Sequence, residues 1–322
     1  EPAYYKSALV SGGPLADLTV GFGVDCVYLS GSFSKTVYVE RQAELCRLAN
    51  HNFSALDKAS IKVYHEQAED FLSVMDPVDC IYLDPARRNS KGQKVHGLSD
   101  CDPDILLLKS RLFEKAPVIF LKLSPMLDIS ATIRLLPETR EVHVVSVNNE
   151  CKELLFLLDR NKREEDIIII AANIHGEKTV IYSFRYADEA RVTCCSAQQL
   201  GMYLYEPNAS VLKAGAYNSI ADTYGLEKLH ANTHLYTGNE VKESFPGRVF
   251  RIVDSGKFNK TDIKRMLSGI TKANITIRNF PGSVDELRKR LKLAEGGNTY
   301  IFASTIYKDE KRLILCEKIK ST

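Results

Sequence analysis

The feature that most constrains this chain is the alternation of short apolar runs with helical patterns across its first half. "LADLTV", "TVYVE", "IKVYHE", "DCIYLDP", "PVIFLKLSP" and "EVHVVSVN" are each long enough for one strand. Helical stretches lie between them. The strongest is "RQAELCRLANHNFSAL", with Ala43, Leu45, Cys46, Leu48 and Ala49 on an apolar stripe. "DPDILLLKSRLFEKA" is another, with Asp102 as its expected N-cap. Strand and helix in this rhythm predict an α/β fold, a mostly parallel sheet with helices on both faces.

After residue 150 the rhythm changes. "ELLFLL", "DIIIIAANI" and "KTVIYSFRY" follow one another with no full helix between, which predicts antiparallel strands at the sheet's far edge. A polar connector runs from about residue 187 to 200. Beyond it the pattern is mixed. "SVLKAGAYNSIADTYGL", "KTDIKRMLSGI" and "SVDELRKRLKLA" read as helices, "RVFRIVDS" and "ANITIRN" as strands, and "TYIFAST" with "KRLILCEKI" as a terminal strand pair. The expected division is an α/β domain over 1–190 and a smaller α+β domain over 191–322. This fits a soft prior of roughly 150 residues per domain.

Ligands of an open α/β sheet bind beyond the carboxyl ends of its strands. There the first strand delivers Asp17, Thr19, Gly21 and Gly23, and the second Glu40. The third is followed by His65, Glu66, Gln67 and Ala68, and the fourth by Asp84, Pro85, Ala86 and Arg87. Gly21 and Gly23 permit a close backbone approach. A dinucleotide fingerprint needs a third Gly or Ala and a helix start that receives a pyrophosphate. Here Cys26 holds that position and Asp25 precedes it. An added carboxylate opposes a pyrophosphate and suits a cationic cofactor. S-adenosylmethionine, with an ammonium, a sulfonium and no phosphate, meets that condition. Capping of the next helix is the competing reading of Asp17 and Asp25. Glu40 can accept both hydroxyls of a ribose.

Charge is uneven. From residue 200 onward 20 Lys and Arg face 13 Asp and Glu, whereas the rest of the chain carries 23 against 28. A basic C-terminal region suggests an anionic partner, nucleic acid first, with a plain solvated surface as the alternative. The eight cysteines show neither C-x-x-C pairs nor zinc spacing, which predicts a reducing, cytoplasmic setting and no metal. No apolar run reaches the roughly 20 residues of a membrane helix, so no membrane association is expected.

The motifs "DLTVGFGVD", "YVERQAELCRLANHNF", "YLDPARR", "LKLSPMLD" and "SVNNECKELL", followed by "YLYEPNASVLKAGAYNSIA", resemble the bacterial class I S-adenosylmethionine-dependent methyltransferases that carry a C-terminal THUMP-like domain. The resemblance covers nearly the whole chain. It implies a Rossmann-like sheet, an RNA substrate presented by the C-terminal domain, and an N-terminal segment that is incomplete here. It also implies roles. Gly21 and Gly23 pass beneath the cofactor, with Asp17 near the methionine ammonium and Glu40 on the ribose. Gln67 and Ala68 stand where related enzymes bind the adenine.

Amino-directed members place Asp or Asn before Pro-Pro and an aromatic residue. Asp84 borders the cofactor, and Asp84 and Pro85 match that motif as acceptors for a substrate amine. Ala86 and Arg87 depart from it. Arg87 either stacks on a base or contacts phosphate, or else forms a structural ion pair. A methyltransferase for a small molecule or protein, or a non-catalytic binding module, are the alternative functions. Lys122, Ser124 and Pro125 after the fifth strand, and Asn148, Asn149 and Glu150 after the sixth, border either the substrate mouth or plain polar turns. "RKRLK" at 288–292 tracks phosphates or is one basic face of an amphipathic helix.

Overall fold

A computed structural model describes residues 1–19, 21–87, 98, 101–162 and 167–319 of the chain. It divides into two units, Glu1–Tyr186 and Ala187–Thr322.

The first unit runs α1 (Pro2–Ser7), β1 (Gly12–Asp17), α2 (Val24–Leu29), β2 (Phe33–Glu40), α3 (Ala43–Ala55), β3 (Lys62–His65), α4 (Ala68–Val74) and β4 (Cys80–Leu83). It continues with β5 (Ala86–Arg87), β6 (Cys101–Asp102), α5 (Ile105–Lys115), β7 (Val118–Leu123), α6 (Ile129–Leu135), β8 (Thr139–Val147), β9 (Glu150–Asp159), β10 (Ile168–His175) and β11 (Lys178–Arg185). Nine of these strands form one sheet in the order β11-β10-β8-β9-β7-β4-β1-β2-β3. From β7 to β3 all neighbours are parallel. The predicted α/β, Rossmann-like fold is therefore present.

Two local expectations are corrected. The three late strands do not simply close the far edge: β9 inserts between β7 and β8, antiparallel to both, and β10 pairs parallel to β8. Burial explains the insertion. Leu154, Leu155, Phe156, Leu157 and Leu158 are at most 1% exposed, so β9 is apolar on both faces and needs an interior position. β11, exposed at every residue but two, suits the edge. The N-cap of α5 is Asp104, whose carboxylate accepts from the Leu106 and Leu107 amides. Asp102 lies in β6 and pairs with Arg41 at 2.8 Å.

Two apolar clusters lie beneath the site. Leu15, Tyr82, Phe120, Leu155 and Leu157 pack with Leu29 and Phe33 in one cluster. Tyr38, Cys46, Ala49 and Phe53 form another, which places the buried stripe of α3 against β2.

The second unit begins within α7 (Tyr186–Arg191) and continues through β12 (Tyr203–Pro207), α8 (Ala209–Ala214), α9 (Ser219–Tyr224), β13 (Glu227–Lys228), β14 (Tyr236–Gly238) and β15 (Gly247–Lys257). Then come α10 (Lys260–Met266), β16 (Asn274–Arg278), α11 (Val284–Leu291), β17 (Thr299–Thr305) and β18 (Lys311–Lys318). Its sheet has the order β13-β14-β12-β15-β18-β17-β16. The stretch expected as one helix is two, α8 and α9, because Gly215 ends α8 at φ +79°. β17 and β18 pair as predicted; the pairing is antiparallel and their side chains alternate strictly. Ile301, Ala303, Leu313 and Leu315 meet α10 and α11, while Phe302, Ile314 and Cys316 face the opposite cluster. On α11, Leu287 and Leu291 are buried, Arg288 donates to the Ala273 carbonyl and Arg290 lies 4.1 Å from the Phe258 ring centre. These contacts match the amphipathic reading of "RKRLK".

Candidate active site

Beyond the carboxyl ends of β1, β2 and β4 lies a cavity of about 720 Å³. Asp17, Thr19, Gly21, Gly23, Asp25, Glu40, Gln67, Ala68, Asp84 and Pro85 all line it. Topology alone gathers them: four parallel strands, β4, β1, β2 and β3, end side by side, and the loops that follow turn over the same edge.

The glycine loop is fastened by β2. Gly21 donates its amide to Glu40 Oε2 at 3.1 Å, and the Tyr38 hydroxyl donates to the Gly21 carbonyl at 2.7 Å. Glu40 Oε1 accepts from the Gln42 amide at 2.8 Å. Glu40 thus braces the loop while it lines the cavity, a second task that its position in the sequence did not reveal. Gly23 has φ +75°, and a Cβ there would press on the Phe53 ring at 3.0 Å, so glycine is favoured on both counts. The Thr19 hydroxyl accepts the Asp84 amide, which ties the first loop to the fourth.

Asp17 is fully buried. Its Oδ1 accepts from the Thr19 amide, but Oδ2 has no hydrogen-bond partner. Burial pushes its carboxyl well above the usual range, and Asp25 and Asp84 add to the rise.

Asp25 is engaged differently. Its Oδ2 meets the Lys6 ammonium at 2.9 Å, the Tyr82 hydroxyl at 2.6 Å and the Lys122 ammonium at 3.4 Å. Burial pushes its carboxyl up, but these three donors more than reverse that and hold it below the usual range. Lys122 also donates to Asp84 Oδ2 at 2.6 Å. Burial opposes its charge, yet Asp84 and Asp25 outweigh it and raise the lysine above its ordinary value. Lys122 is therefore part of the site and not a solvated turn lysine.

A second cavity of about 300 Å³ adjoins the first and shares Asp84, Pro85 and Lys122 as walls. Ser124, Pro125 and Glu153 line it as well. Asn148 and Asn149 line neither cavity. They form the β8–β9 turn at positive φ, with the Asn149 amide bonded to Asn173 Oδ1. His65 is exposed and its ring bonds the Arg41 carbonyl. The Arg87 backbone pairs with Cys101, but its side chain, and Arg88 entirely, lie outside the described residues.

Lys6 and Glu153 are the site residues that sequence reasoning missed. Lys6 is 2% exposed and bonds Glu153 at 2.9 Å as well as Asp25. A short helix with one lysine carries no pattern. Glu153 had a usable signal, a carboxylate immediately before the apolar run Leu154–Leu158. Among the described residues no group of His, Cys, Asp and Glu is arranged to hold a metal. No helix among them is long and apolar enough to cross a membrane.

Comparison with known proteins agrees with this architecture. Residues 203–246 match a family described as a ferredoxin-like domain, and residues 247–318 one described as THUMP domain-like. A protein of Mycobacterium tuberculosis, from strains CDC 1551 and H37Rv, is 22% identical over 297 residues, 90% of this chain and 77% of its own. Its name is uncharacterized S-adenosylmethionine-dependent methyltransferase. The crystal structure of a candidate methyltransferase from Porphyromonas gingivalis W83 superposes with TM-score 0.92 at 34% identity, covering 99% of this chain and 80% of that one. With the nine-stranded sheet and the glycine loop in place, the chain belongs to the class I S-adenosylmethionine-dependent methyltransferases that carry a C-terminal THUMP-like domain.

Proposed function

We propose that this enzyme methylates an exocyclic amino nitrogen of an RNA base, with Asp84 and Pro85 at the reacting centre. One observation carries the reading: the Asp84–Pro85 pair stands in the wall common to the large cavity and the small one. A donor in the first and an acceptor in the second would meet there.

The large cavity suits S-adenosylmethionine, which supplies an electrophilic methyl group when bound. The unpartnered Asp17 Oδ2 lacks a donor that the methionine ammonium would provide. Glu40 keeps lone pairs for ribose hydroxyls beyond its two backbone bonds. Gly21 and Gly23 would offer bare backbone to the cofactor, and Gln67 its amide to the adenine edge. Asp25 acts through Lys6, Tyr82 and Lys122 as a fixed counter-charge.

The small cavity has room for one unstacked base, with Pro85 and Pro125 as apolar walls. An exocyclic amine is a poor nucleophile because its lone pair is delocalised into the ring. Asp84 Oδ1 and the Pro85 carbonyl would each accept one N–H, turn the lone pair toward the methyl group and stabilise the positive charge that develops on nitrogen. The Asp84 carboxylate is also the nearest acceptor for the proton that the methylated amine then sheds. Arg87 is proposed to stack on the base or contact a phosphate. The basic second unit is proposed to present the RNA, supported by 20 Lys and Arg against 13 Asp and Glu from residue 200 onward.

Tritiated methyl transfer into total RNA from cells lacking the enzyme, followed by nucleoside mapping, tests this. We expect label on a base amine, and Asp84→Ala should reduce transfer at least ~100-fold. Label in protein and none in RNA would overturn the substrate class. Normal transfer by Asp84→Ala would overturn the catalytic assignment.

A further inference from the structure

Five charged side chains from five separate segments form a single alternating row: Glu153 of β9, Lys6 of α1, Asp25 of α2, Lys122 of β7, and Asp84 after β4. Successive contacts are 2.9, 2.9, 3.4 and 2.6 Å. The row ends at the proposed reacting centre and begins far from it in sequence.

Its middle is a shared atom. Lys6, Tyr82 and Lys122 all converge on the same oxygen, Asp25 Oδ2. Lys122 sits between two carboxylates, closer to Asp84 than to Asp25. Two opposite charges attract more strongly as they approach and as water is excluded. Lys6 and Tyr82 already bond that oxygen more closely than Lys122 does, at 2.9 and 2.6 Å. Lys6 is buried and has Glu153 as its second carboxylate, which anchors the ammonium from the other side.

We propose that Lys6 is a positioning residue for methyl transfer: by occupying Asp25 it leaves Lys122 on Asp84 Oδ2, so that Oδ1 faces the acceptor. The docking of α1 is thereby transmitted to the reacting centre. Without Lys6, Asp25 becomes the stronger partner for Lys122. Asp84 then loses its tether and the orientation on which transfer depends.

The proposal rests on the reading that Asp84 faces the acceptor, and the experiment separates the two. S-adenosylhomocysteine titration by calorimetry counts the binding-competent sites of each variant. Initial rates of tritiated methyl transfer, with total RNA from cells lacking the enzyme as acceptor, are then expressed per competent site. If only protein or small-molecule extract accepts label, that extract serves instead.

Lys6→Met should lower the rate per site at least tenfold. Lys6→Met with Asp25→Asn, which removes the competing charge, should recover most of the loss relative to Lys6→Met. If Lys6→Met binds no S-adenosylhomocysteine, Lys6→Met with Glu153→Gln carries the same test, because Asp25 still pulls on Lys122. A normal rate per site in the Lys6 variants, with Asp84→Ala inactive, would overturn this proposal alone and leave Lys6 a scaffold residue. A normal rate in Asp84→Ala would overturn the reading of Asp84 and this proposal with it.

Discussion

Each unit of this protein buries a carboxylate, and the two are treated in opposite ways. Asp17 in the first unit keeps one oxygen without a partner at the floor of a large cavity. Glu206 in the second unit is equally buried, but Arg248 grips its Oε2 with two nitrogens and Arg278 donates to Oε1 at 2.9 Å. Burying a charge is costly unless it is paired. Glu206 meets that condition within its own sheet and works as scaffold. Asp17 does not, and the cationic ligand proposed above would supply the missing partner. A buried carboxyl held short of its full set of bonds is a better guide to a site than buried charge as such.

Removing each carboxylate should break the symmetry between them. Asp17→Asn should weaken S-adenosylmethionine binding by about 2 kcal/mol, roughly 30-fold, the scale of one hydrogen bond between charged groups. The same change should raise the melting temperature of the ligand-free protein, because it removes a penalised buried charge. Calorimetry and thermal unfolding read the two effects. Loss of both affinity and stability would make Asp17 a structural residue.

Glu206→Ala should do the reverse. Urea unfolding should report a loss of about 2 kcal/mol, below the full value for a broken buried pair because both arginines are 38% exposed and can be solvated. Cofactor affinity should stay within twofold.

The pH response sharpens the contrast. The Asp17 carboxyl is raised in the folded protein. Its folded state therefore holds a proton to higher pH than the unfolded chain, and as pH rises from the unfolded value through the folded one this group's contribution to stability falls. Affinity for a cationic ligand moves the other way, rising as Asp17 ionises, by at most about tenfold per pH unit. Asp17→Asn should flatten that rise. A pH-independent affinity in the unaltered protein would remove Asp17 from the site. The smallest expected effect is Gly23→Ala, at about 1 kcal/mol of stability from the strained φ, more if the Phe53 ring cannot shift.

Much of the first unit was legible in the sequence, and for a local reason. Apolar runs at strand length and the stripe on α3 report periodicity, which is a property of neighbours along the chain. The residues at the strand ends were also legible, since a parallel sheet brings its carboxyl ends to one edge whatever the loops do. Asp17, Gly21, Glu40 and Asp84 needed no more than that. The place of β9 was harder. Its apolar character was visible, but inner and edge positions differ only in what covers them.

What the sequence by itself determined, then, was the alternating α/β plan, the glycine loop, the strand-end carboxylates and the basic character of the C-terminal region. Each is written in spacing or composition. Only the tertiary structure decided that Lys122 holds Asp84, that Lys6 and Glu153 belong to the site, and that Asp17 is left short of one bond. Lys6 and Glu153 stand 147 positions apart. Charges so distant in sequence become neighbours only after β9 has been threaded between β7 and β8 and α1 has docked, because pairing over a few ångströms depends on position in space and leaves no period along the chain.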